Sequence, residues 1–159
     1  MLPPFTLTII AQVGIHLYEH GERMRAWEAA RAAADALNKP MLNVGCGVTH
    51  FLSHPCGDYC IDANPKRLVG CQARHSIVAD VRNLSRFSDK QFGSALCSHV
   101  LEHLPTVADA EQAVSELHRV AHHVYILSPS RLLVVAWAHP EHALWVDQLP
   151  DGSLRFEQR

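Results

Sequence analysis

The chain has 159 residues, 48% of them hydrophobic and 19% charged, with a formal charge of −2. This length and balance fit one globular domain with a sizeable core and exclude a disordered chain. The near-neutral charge gives no reason to expect nucleic acid as a partner.

In chain order, the apolar residues 2–17 are interrupted by Thr6, Thr8, Gln12, Gly14 and His16, too short and too polar a run to span a bilayer. A core or interface helix is the favoured reading; peripheral contact with a membrane surface or a protein through this apolar N-terminus is the alternative. No basic region precedes it, so no signal peptide is expected. Residues 20–37 carry Met24, Trp27, Ala30, Ala34 and Leu37 at helical spacing, an amphipathic helix ended by Asn38-Lys39-Pro40. Residues 41–44 form a short apolar run stopping at glycines, as a buried parallel strand does. A second strand is expected over residues 59–61, ending at Asp62, and Pro65 suits the first turn of a helix over 65–73. Further strands are expected over 76–79, 92–98 and 123–127, with a periodic helix over 109–120. Residues 143–147 and 153–157 flank Leu149-Pro150-Asp151-Gly152, a hairpin signal.

Strands alternating with helices imply an α/β fold with right-handed crossovers and a mainly parallel sheet, closed by a C-terminal antiparallel hairpin. The whole of 1–159 reads as one domain: a helical segment at 1–38, a core at 41–129, and a C-terminal helix and hairpin at 130–159. The five cysteines are an odd, irregularly spaced set, expected to be reduced thiols of an intracellular, cytoplasmic protein.

A strand followed by Gly45-Cys46-Gly47 lets backbone approach a ligand closely, since no Cβ intervenes. Asp62, 17 residues after Gly45, ends the next expected strand, where a carboxylate accepts hydrogen bonds from ribose hydroxyls. Asp80 ends the third, within reach of an adenine amino group. A dinucleotide dehydrogenase wants a third glycine at the next helical turn, where this chain has His50.

Asn43-Val44-Gly45-Cys46-Gly47, Ile61-Asp62, Val78-Ala79-Asp80, the run from Cys97 to Leu104 (CSHVLEHL) and Glu116-Leu117-His118-Arg119-Val120 together resemble the motifs of class I S-adenosylmethionine-dependent methyltransferases, over about residues 41–129. The resemblance implies a Rossmann-like three-layer sandwich that binds S-adenosyl-L-methionine. It implies that Gly45, Cys46 and Gly47 pass beside the methionine part, that Asp62 with Ala63 holds the ribose, that Asp80 with the backbone of Val81 holds adenine, and that Ser98 and His99 lie near the transferable methyl group. Asn43 stands where the family usually has an acidic residue, and Thr49 where it has a third glycine. Pro55 and Gly57 imply a stunted first crossover, as in a small subgroup of methyltransferase-like proteins.

Two metal readings compete with this one. His50, His54, Cys56 and Cys60 lack the paired knuckles of structural zinc. His99, Glu102 and His103 satisfy the H-x-x-E-H pattern of inverted zinc peptidases, but Pro105 follows closely and a strand precedes, where that motif needs the interior of a helix. No metal is therefore expected. His118, His122 and His123 sit near a helix end, where cations are favoured. His139 and His142 bracket Pro140-Glu141 beside Trp137 and Trp145, a loop of packed indoles that would overhang the methyl end.

The expected function is methyl transfer to a small-molecule, lipid or sugar-linked acceptor. His99 is the first candidate base, His103 the second and His139 the third. Within the resemblance, the absence of an Asn/Asp-Pro-Pro-Tyr signature argues against methylating base or glutamine amino groups. The alternative is a cofactor-binding protein without turnover, acting as a partner or regulatory subunit.

Overall fold

In the computed structural model, which describes residues 4–46 and 55–159, helix α1 runs without interruption over Pro4–Ala36, joining the two expected N-terminal segments. Proline suits a first helical turn, and the helix ends where Asn38 adopts φ 50°, letting the Asn38 and Lys39 amides reach the Asp35 and Ala34 carbonyls. The alanines allow a close seat on the sheet. Ala30 and Ala34 are fully buried against Met41 and Leu96, and a side chain at Gly93 would run into the Ala34 backbone. The N-terminal half of α1 leaves Ile9, Ile10, Val13 and Leu17 exposed. No described helix is long and apolar enough to cross a membrane.

Five parallel strands follow: β1 Met41–Val44, β2 Tyr59–Asp62, β3 His75–Val78, β4 Phe92–Ser98 and β5 Ala121–Leu127, in the order β3-β2-β1-β4-β5. All seven residues of β4 are buried, as suits a strand covered on both faces. Alternation along the strands separates two layers. Leu42, Val44, Ile61, Ala95 and Cys97 face a core that includes Ala110, Ala113, Leu117 and Val120 of α2 (Val107–Val120), whereas Met41 and Leu96 face α1. Thr106 caps α2, its Oγ1 accepting from the Asp109 amide.

One expectation is corrected. The helix expected over 65–73 is only a four-residue 3-10 turn, Pro65–Leu68, in which no residue is buried; without an apolar stripe to bury, the segment gains nothing by extending. The C-terminal hairpin, β6 Leu144–Gln148 with β7 Leu154–Gln158, forms its own antiparallel sheet and does not hydrogen-bond to β5. The short helix α3, Val134–Ala138, leads into it.

Candidate functional site

The carboxyl ends of β1, β2 and β4 gather the residues singled out by the sequence. Gly45 follows β1 with φ +75°, its amide donating to Ile61 O at 2.9 Å. A Cβ at this position would collide with Val100 Cγ2, so sterics and dihedral angle both demand glycine. Gly47, Thr49, His50 and His54 lie outside the described residues. Asn43 is fully buried in β1. Asp62 is almost buried at the end of β2, with Oδ1 accepting from the Asn64 amide at 2.8 Å; Ala63 beside it is exposed. Asp80 is engaged otherwise. Its carboxylate receives the Arg82 guanidinium at 2.5–3.1 Å and the Arg82 amide at 2.9 Å, and Arg82 continues to Asp109. That guanidinium holds the Asp80 carboxyl below its ordinary range. Val81 is packed in the main core.

At the end of β4, Ser98 is buried and its Oγ finds no hydrogen-bond partner among the described residues. His99 turns the chain with φ 56° and donates its amide to Leu127 O at 2.9 Å. Its ring lines a cavity of about 540 Å³ bounded by α1, the end of β5 and the hairpin, including Ile15, Glu19, Ile126, Leu132 and Leu154. Behind it His99 Nδ1 lies 3.7 Å from Glu102 Oε1. Glu102 is 1% exposed, and neither of its carboxyl oxygens has a hydrogen-bond partner among the described residues. Burial raises its pKa to about 8, against the opposing pull of Arg23. Near neutrality it is therefore a protonated acid, and its contact with His99 is not an ion pair. The H-x-x-E-H segment holds only a three-residue 3-10 turn, Leu101–His103, which does not set two histidines on one helical face. His99 faces the cavity, while His103 joins His139 and His142 in a separate cluster.

The cysteines depart from the sequence expectation of five reduced thiols. Cys46 and Cys60 form a disulfide, their Cα atoms 5.9 Å apart. Neighbouring parallel strands achieve what the linear spacing conceals: Cys60 pairs in register with Asn43 and faces the same side of the sheet as Met41. Cys71 Sγ lies within 4.8 Å of both sulfurs and 3.0 Å from Cys56 Sγ.

Residues 42–124, just over half of the chain, match a family described as the methyltransferase domain. No curated protein matches the sequence. Among solved structures, a SAM-dependent methyltransferase from Archaeoglobus fulgidus is 20% identical with a TM-score of 0.51, covering 80% of this chain and 65% of its own. One from Methanosarcina mazei is 17% identical at 0.47, covering 76% and 72%. The N-methyltransferase NodS of Bradyrhizobium japonicum, in complex with S-adenosyl-L-homocysteine, is 13% identical at 0.49, covering 84% and 76%. At these identities the likeness is one of fold, and the chain spans about two thirds of the Archaeoglobus protein's length. With its parallel sheet, its glycine-ended first strand and a family match across more than half its residues, the chain belongs to the methyltransferase domain family.

Proposed function

We propose that the protein transfers a methyl group from S-adenosyl-L-methionine to a small acceptor with an apolar body, a lipid or sugar-linked molecule among the candidates. The observation that carries this reading is the alignment of Gly45, Asp62 and Ser98 at the ends of neighbouring strands, with His99, the residue after Ser98, lining a cavity. The residues fit the donor. Gly45 offers backbone where a side chain would block approach, Asp62 spends one oxygen on the Asn64 amide, and Ser98 Oγ is buried without a described partner. An adenine amino group at Asp80 would share that carboxylate with Arg82. The cavity falls within the size range of small-molecule sites, and its Ile, Leu and Val lining suits an apolar acceptor.

When bound, S-adenosyl-L-methionine would supply an activated methyl group on a sulfonium centre, the sulfur keeping the carbon–sulfur electron pair as the acceptor's lone pair takes the methyl carbon. The chain's own part is orientation and exclusion of water. His99 takes the proton that a hydroxyl or ammonium acceptor must release. The free thiols of Cys56, Cys71 and Cys97 support a cytoplasmic setting, against which the Cys46–Cys60 pair counts.

Titration calorimetry with S-adenosyl-L-methionine tests the reading, and no binding at millimolar donor sinks it. Asp62→Ala should weaken binding by about tenfold or more, the size expected for losing a charge-assisted hydrogen bond. Acceptor-dependent release of S-adenosylhomocysteine separates an enzyme from a binding protein without turnover.

A further inference from the structure

We propose that His103, His139 and His142 hold a divalent transition-metal ion of the zinc class, leaving one coordination position open. The three residues come from two places in the chain. His103 ends the 3-10 turn after β4, and His139-Pro140-Glu141-His142 is the connection between α3 and β6. One ring nitrogen from each lies within 4.8 Å of the others, with ring centroids 4.4–5.4 Å apart. A tetrahedral ion with metal–nitrogen distances of about 2.0–2.1 Å requires the nitrogens to close in and the His139 and His142 rings, stacked at 16° with centroids 4.4 Å apart, to turn until their lone pairs converge.

The hydrogen bonds around two of the three rings point the same way. His103 Nδ1 lies 3.1 Å from the Glu141 carbonyl, and His142 Nδ1 lies 3.0 Å from the Ala136 carbonyl. A carbonyl only accepts, so both rings carry their proton on Nδ1 and leave the Nε2 lone pair outward. This is how metal-binding histidines are oriented in general. His139 Nδ1 instead accepts from the Glu141 amide at 3.3 Å, which leaves that ring's proton on Nε2, so this ring binds an ion only by giving up that long bond or that proton. The backbone beneath is fixed: the Ala143 amide donates to Glu102 O at 2.8 Å, and the Arg159 amide to Ala143 O at 2.9 Å.

The surrounding charges define what the open position takes. Arg67 and the neighbouring histidines act on His103, as does Glu141 with opposite sign, while Arg159 acts on His142. Two guanidiniums near a dication favour an anionic fourth ligand, either hydroxide or an anionic group on a bound molecule. The cluster follows β4, and the turn carrying Arg67 follows β2, so the ion sits at the sheet's carboxyl rim. This inference stands apart from the methyl-transfer reading, because its readout is metal content.

Tag-free protein, stripped with a chelator and dialysed, should bind one equivalent of Zn²⁺ by calorimetry and give the visible absorption of tetrahedral cobalt when loaded with Co²⁺. His103→Gln and His142→Gln should each weaken zinc affinity by roughly 100-fold or more. Cys71→Ser, which alters the sulfur cluster instead, should leave it unchanged. No binding at micromolar zinc, or binding that survives both histidine variants and disappears with Cys71→Ser, overturns the proposal. Should the histidine variants fail to fold, ring ¹⁵N spectra of the wild type decide: zinc must shift three imidazoles, and a response from other histidines or from none refutes the assignment.

Discussion

Replacing Glu102 by glutamine should flatten the pH dependence of stability. Glu102 is 1% exposed, lacks a described hydrogen-bond partner at either oxygen, and has a pKa raised to about 8 by burial. The folded protein therefore keeps a proton that the unfolded chain releases above its ordinary value of 4.5. This group's contribution is complete below that value, falls by about 1.4 kcal/mol per pH unit as pH rises, and is exhausted by about pH 8. Between pH 5 and pH 7 the wild type should lose about 3 kcal/mol that Glu102→Gln does not lose. The amide adds donors to a place without described acceptors, which offsets the variant's stability equally at every pH and leaves the slope as the readout. Urea unfolding followed by tryptophan fluorescence at pH 5, 6 and 7 measures it. If wild type and variant fall in parallel, Glu102 is ionised in the folded protein and its buried, neutral state is refuted.

Other expectations concern the strand ends and the staple. Gly45→Ala forces a side chain into a left-handed conformation and against Val100; it should cost about 1–3 kcal/mol in chemical denaturation, and Val100→Ala should restore only part of the loss. Cys46→Ser should lower stability by about 3 kcal/mol, since the Cys46–Cys60 link closes a loop over a separation of 14 residues; a thiol titration of unfolded wild type should find three free thiols, and five would refute the pairing. Thr106→Ala removes the cap of α2 and should cost about 1 kcal/mol by thermal unfolding. His99→Gln should depress kcat for acceptors that must lose a proton, with donor affinity unchanged by calorimetry.

The sequence by itself determined the strands, because apolar runs of three to seven residues bounded by polar residues, glycine or proline have few other uses in a chain of this size. β1, β2, β4 and β5 lie within a residue or two of their expected bounds, and the order of Gly45, Asp62 and Ser98 along the chain anticipates their alignment at one edge. Periodicity likewise marked α2 through Ala113, Leu117 and Val120. Local pattern could not measure what a segment packs against, and there the expectations strayed. Residues 65–73 stay a single turn because no face of theirs is buried. Tertiary structure alone decided the pairings of distant side chains. Cys46 meets Cys60 across neighbouring strands, Asp80 is taken by Arg82, and Glu102 is sealed beneath His99. His103, which sequence reading tied to His99, joins His139 and His142 instead. Such contacts depend on which strands lie side by side and where a turn redirects the chain, and neither quantity is carried by the spacing of residues along it.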